Sequence, residues 1–173
     1  MKNSPLGYLG PLFKRAQAKL AALFKPPYDA DQLLGMVKVF IEPSAGSDLV
    51  AGETVWAKSV GESLYKIDNI PVFSEAYHLG DIVECEDSKE YSLVVRRLKQ
   101  ASGNRTLRFQ LAQQPNERDW KRLTGRLAQM GVECVIGFTG TCAFNLRPGI
   151  DAEEVRTLLV SELGEDKFQF LGG

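Results

Sequence analysis

Residues 105–147 read RTLRFQLAQQPNERDWKRLTGRLAQMGVECVIGFTGTCAFNLR, and this stretch decides the fold. In 105–111, Leu107, Phe109 and Leu111 alternate with Thr106, Arg108 and Gln110, the period of a strand with one buried face. Asn116 then caps a helix that has acids in its first turn. Trp120, Leu123, Leu127 and Met130 form its apolar stripe, and Gly131 ends it. Strand 132–138 turns Val132, Cys134, Ile136 and Phe138 inward, and a tight turn at Thr139-Gly140 leads into strand 141–147, with Cys142, Phe144 and Leu146 inward.

The chain beyond continues with a second helix and a last strand. Asp151 opens a second helix with Glu154 three residues on, a variant of the capping box, and Val155, Leu158, Leu159 and Leu163 form its core face. Gly164 ends it, and strand 167–171 turns Phe168 and Phe170 inward. Each strand is apolar on one face only, so both helices are expected on the same side of one antiparallel sheet. That order, βαββαβ, is the split βαβ or ferredoxin-like sandwich.

Upstream, residues 36–100 read as short strands at 36–42, 53–60, 63–69, 81–86 and 91–99, separated by Gly and Asp clusters. This spacing suggests a small curled sheet or barrel, with 70–79 (Pro71, Phe73, Tyr77, His78) as a longer connection. At the start, Leu9, Leu12, Phe13, Ala16, Leu20, Leu23 and Phe24 make an amphipathic helix stopped by Pro26-Pro27. The expected class is therefore α+β: an N-terminal amphipathic helix, a small curled β-sheet or barrel, and a C-terminal ferredoxin-like βαββαβ sandwich. The expected domains are 1–35, 36–103 and 104–173.

Composition bounds the function. The chain has 173 residues, 44% hydrophobic and 25% charged, as in an average globular protein, with formal net charge −1. A dedicated nucleic-acid binder would be basic overall, so nucleic acid is disfavoured. The three cysteines (Cys85, Cys134, Cys142) form no CxxC, which argues against a disulfide framework or zinc site and for the cytoplasm. The basic N-terminus has Lys14, Arg15 and Lys19 where the apolar run of a secretory signal would lie. Peripheral membrane contact through residues 9–25 is a weaker alternative to a helix docked on its own body. No cofactor or metal is expected.

The stretch Glu53-Thr-Val-Trp56-Ala-Lys58, then Leu64-Tyr65-Lys66-Ile67-Asp68-Asn69-Ile70-Pro71-Val-Phe73, then Leu79-Gly80-Asp81-Ile-Val83-Glu84, resembles a bacterial family known as domain of unknown function 4265. Arg96-Arg97 and Gly103-Asn104-Arg105-Thr106 are also similar to it. The likeness runs from about residue 50 to 171, is looser at Phe168-Gln169-Phe170-Leu171, and leaves the N-terminal helix outside. It implies a family without supplying a mechanism.

No HExxH, GxSxG, Walker A or GxGxxG occurs. His78, the single histidine, reads as a turn or packing residue in an aromatic loop. Cys85 lies between Glu84 and Glu86, and nearby acids would raise its pKa. Asp68 and Asn69 read first as a strand end, with a ligand role as the alternative. From 91 to 110 the chain carries Arg96, Arg97, Lys99, Arg105 and Arg108 with no acid; from 151 to 167 acids dominate. Such polarity can orient a charged partner. On the sheet's outward face the candidate binding residues are Arg108, Arg147, Asn145 and Gln110, with Arg96, Arg97, Asp68 and Asn69 elsewhere. The reading leans away from an enzyme. It favours a protein-binding module, of which a toxin-immunity protein is one form. The alternatives are a small-molecule or nucleotide sensor taking a small anionic ligand, and an enzyme of unrecognised type.

Overall fold

Alternating apolar residues over 36–100 fold into a barrel. The computed structural model describes residues 35–43, 52–113, 115–137 and 140–171. The N-terminal helix expected within 1–35 lies outside them, as do Phe138 and Thr139. Strands β1 (Met36–Ile41), β2 (Glu53–Gly61), β3 (Leu64–Ile67), β4 (Ile82–Ser88) and β5 (Ser92–Gln100) run in sequence around a closed barrel. Neighbours pair antiparallel, and the ring closes where β1 meets β5 in parallel at Phe40 and Val94. Val39, Ile41, Val55, Ala57, Ile67, Val83, Cys85 and Val95 fill the interior. Every second side chain points inward, so one residue from each row enters the core and its neighbours face out.

The second half builds a four-stranded sheet in the order β7-β8-β6-β9: β6 (Arg105–Leu111), β7 (Glu133–Ile136), β8 (Thr141–Leu146) and β9 (Phe168–Leu171). Helices α1 (Glu117–Gln129) and α2 (Ala152–Leu163) join β6 to β7 and β8 to β9. Asn116 caps α1 by accepting from the Asp119 N–H at 2.9 Å. Asp151 caps α2 by accepting from the Glu153 N–H at 2.9 Å. Trp120, Leu123 and Leu127 of α1 and Val155, Leu158 and Leu159 of α2 are buried, as is Phe109, which packs edge-on against Phe144 and Phe168.

The expected fold class is corrected here. The described residues are mostly β, with a closed five-stranded barrel where a curled sheet or barrel was expected, and two helices; no two-layer ferredoxin-like sandwich is found among them. Strand β8 overturns the two-layer reading, because all six of its residues are buried. A sheet with one open face would expose Thr141, Ala143 and Asn145. Here the 70–79 connection lies on that face: Ile70 and Val72 pack on Ala143, with Phe73, Leu79 and Val135 around them. The approach is close enough that a Cβ at Gly137 would stand 3.0 Å from Val72 Cγ1.

Candidate functional site

The residues of the 68–81 connection explain why it covers the sheet. Glu53, at the first position of β2, accepts three successive backbone N–H groups from it: Val72 at 2.9 Å, Phe73 at 3.0 Å and Ser74 at 2.6 Å. Arg108, from β6, grips the same loop by its carbonyls. Its guanidinium donates to Val72 O at 3.0 Å, to Pro71 O at 3.3 Å and to Ser74 O. A carboxylate and a guanidinium thus hold one short piece of main chain by its donors and its acceptors. Burial pushes the Arg108 pKa down, while Glu53 and Glu75 oppose the shift.

The ends of the connection are tied as firmly. Asn69 Oδ1 accepts the Trp56 N–H at 2.6 Å. Asp81 is buried and uses both oxygens: Oδ2 accepts from His78 N at 2.8 Å, and Oδ1 accepts from Ser102 N at 2.7 Å and Ser102 Oγ at 2.9 Å. Asn104 Nδ2 donates to Leu79 O at 2.7 Å. Gly80 turns between them at φ +86°, where a Cβ would also stand 3.1 Å from Ser102 Cβ. The His78 ring is half-buried, with Nδ1 3.0 Å from Thr106 Oγ1. Burial lowers its pKa; Asp81 opposes that and Arg108 adds to it.

The candidate residues divide into three groups. Arg108, Asn145 and Gln110 share the face of the sheet that the loop covers, since Arg108 registers with Ala143, Gln110 with Thr141 and Thr106 with Asn145. Arg108 is only 7% exposed. Gln110 Oε1 accepts from Thr141 Oγ1 at 2.9 Å. Asn145 is fully buried, and neither atom of its amide finds a hydrogen-bond partner among the described residues. Arg147, just past β8, is exposed and pairs with Glu133 of β7. Arg96 and Arg97 lie on the outside of the barrel: Arg96 pairs with Glu42 and Glu86, and Arg97 with Glu84. The basic stripe is therefore largely neutralised across the β4–β5 ribbon. Asn69 is part of the loop clamp, and Asp68 is an exposed residue whose N–H donates to Trp56 O at 2.9 Å.

The cysteine readings need revision. Cys85 is buried in the barrel, and burial alone pushes its thiol up to about 11; Glu84 and Glu86 point away on the other parity. Cys142 is buried with its pKa raised, whereas Cys134, expected buried, is only partly so, with its thiol at about 11. All three sulfurs are held as weakly nucleophilic thiols.

Sequence reasoning missed a group on the outer face of β1–β3. Lys38 sits opposite Trp56, and Lys58 sits opposite Lys66. Lys38 Nζ lies 5.1 Å from the centroid of the Trp56 ring. Among the described residues no carboxylate pairs with Lys38, Lys58 or Lys66. The signal was present as strand parity, one lysine per alternation on three successive strands.

The family described as "Domain of unknown function (DUF4265)" matches residues 53–169, and the chain belongs to that family. No curated protein matches it. A crystal structure titled "Novel crystal structure of a hypothetical protein from Neisseria gonorrhoeae" is similar in fold, with TM-score 0.63 and 17% identity over 78% of this chain and 91% of that one. No helix among the described residues is long and apolar enough to cross a membrane.

Proposed function

We propose that this member of the family is a non-enzymatic protein-binding module that works through the surface of its barrel. One contrast carries the reading. On the β4–β5 ribbon, Arg96, Arg97 and Lys99 each meet a carboxylate of the same molecule. On β1–β3, Lys38, Lys58 and Lys66 surround a half-buried Trp56, and among the described residues none of the three meets a carboxylate. Tryptophan is enriched at protein interfaces, and cations around it favour a partner of complementary charge. The alternative reading, a sensor of small anions at Arg108, is weakened by the guanidinium donors already spent on Pro71, Val72 and Ser74.

A partner recovered by crosslinking in cells, then purified, should bind the isolated chain with an affinity that millimolar ATP, GTP or inorganic phosphate leaves unchanged. The same small molecules should leave the Tm where it is. A Tm that rises with a phosphorylated metabolite, increasing with its concentration in the manner of a linked binding equilibrium, would replace this reading with ligand sensing.

A further inference from the structure

We infer that the outer face of β1–β3 docks an acidic, partly apolar segment of a protein partner, with Trp56 at its centre and Lys38, Lys58 and Lys66 around it. The inference rests on the protein-binding reading and names the surface and the chemistry of the partner.

The registers define the patch. One row runs Lys38–Trp56, and the next runs Met36–Lys58–Lys66–Ile82. Directly opposed residues on antiparallel strands have Cα atoms about 4.5–5.5 Å apart, and rows of one parity are about 7 Å apart along a strand. Three ammonium groups therefore share an area that one short peptide segment would span. Like charges placed directly opposite, as Lys58 and Lys66 are, destabilise a sheet unless an anion sits near them. In the neighbouring ribbon the same problem is solved inside the molecule, where Glu84 stands opposite Arg97. On β1–β3 no carboxylate among the described residues pairs with either lysine. Asp68 follows β3 at the end of the Trp56 row, and one carboxylate does not balance three cations.

The centre of the patch is apolar and fixed. The Trp56 main chain is held by its backbone N–H, which donates to Asn69 Oδ1, and Lys38 lies over its ring. Met36 and Ile82 close the ends of the lysine row as half-buried apolar residues, and Val60, 48% exposed, lies just beyond on β2. Trp and Met are enriched at protein interfaces, and Trp is the commonest kind of anchor within them. A nucleic acid would be met by a series of stacking aromatics on a basic protein. This face offers one tryptophan on a chain of net charge −1.

The test uses the full chain with three probes at low salt: a short Glu-rich peptide carrying leucine and phenylalanine, an oligothymidylate of equal charge, and inorganic phosphate. The peptide should bind and shift the backbone amide signals of Met36–Lys38, Thr54–Lys58 and Leu64–Lys66. Its affinity should fall about tenfold or more in the double variant Lys58→Glu with Lys66→Glu, as expected for reversed charges at an interface. It should fall with added salt, survive Lys58→Arg, and be unchanged by Lys121→Glu on α1. Tighter binding of the oligothymidylate, no peptide binding at low salt, or shifts mapping elsewhere would each overturn the inference. The recovered cellular partner separates the two claims. If it binds the double-Glu variant as it binds the wild type, the protein-binding reading stands and this surface is wrong.

Discussion

Arg108 and Arg97 sit on consecutive strands and have opposite fates. The Arg108 guanidinium is buried against the carbonyls of Pro71, Val72 and Ser74, while Glu53 takes N–H groups from Val72, Phe73 and Ser74 in the same loop. Arg97 lies in water, paired with Glu84, itself the end of a flexible side chain. Main-chain partners have fixed positions once a loop is seated, so a charge bound to them defines geometry. A side-chain partner in solvent can leave at little cost, so the same charge there shapes the electric field and barely touches the fold. The loop clamp is architecture; the outer faces of the barrel are where charge remains available.

The most severe test of this contrast is Arg108→Ala. It leaves three buried carbonyls without donors and Glu53 without its nearby cation, and the expected loss is about 3–5 kcal/mol, the range for breaking a buried ionic arrangement from one side. Chemical denaturation measures it; a loss below about 1 kcal/mol would show that the loop seats without the arginine. Arg108→Lys should recover little, because an ammonium lacks the planar fork that reaches several carbonyls at once. Glu53→Gln comes next. The amide keeps one acceptor oxygen and loses the charge and the second acceptor, so about 1–3 kcal/mol should go. The double variant should cost less than the two single losses added together, because both act on one loop. Full additivity would mean that the two ends of the clamp are independent.

A smaller effect follows from His78, whose ring meets Thr106 at the edge of the clamp. Burial holds its folded pKa below the ordinary value, with Arg108 adding and Asp81 opposing. The unfolded chain titrates near the usual ~6.5. The unfolded state therefore takes up the proton first as pH falls, so this contribution to stability is full above about 6.5 and declines as pH drops through and below it. Between about pH 7.5 and 5.5 the Tm of the wild type should fall more than that of His78→Gln. Parallel curves would place the histidine in contact with solvent in both states.

Local pattern carried the elements. The alternation in Arg105–Leu111 gave that strand its limits, and Asn116, Asp151 and Gly164 sit at helix ends as their chemistry requires. Thr141, Ala143 and Asn145 hid the second covering of the sheet, because a small or polar residue at an outward position looks the same whether water or a loop lies above it. Arg108 was hidden more deeply: its partners are carbonyls some 36 residues earlier, and a carbonyl leaves no trace in sequence. The hints were Glu53, Asn69-Ile70-Pro71 and Asp81 within one motif; Asn69 read as a strand end and Asp81 as a turn, but no local pattern showed that Glu53 and Arg108 hold the loop between them. The Trp56 patch was scattered among three strands and emerges only when the registers align Lys38, Lys58 and Lys66.

The least effect is expected at Arg97, and it matters because the residue resembles Arg108 on paper. Arg97 stands opposite Glu84 on β4, and Lys99 also reaches that carboxylate, at 3.4 Å. Removing the arginine leaves Glu84 with a second cation and with solvent, so no buried group loses its partner. The hydrogen bond to Arg97, with Lys99 in support, holds the Glu84 pKa below the usual carboxylate range. Arg97→Ala should raise that pKa toward the ordinary value while leaving the unfolding midpoint within error at neutral pH. Carbon-detected NMR titration of the Glu84 carboxyl reads the first outcome and denaturation the second. The pair of results separates field from architecture: a shifted titration with an unmoved midpoint is what a surface charge does. A midpoint displaced as far as in Arg108→Ala would mean that the ribbon is also holding the barrel closed, and the two arginines would no longer differ in kind.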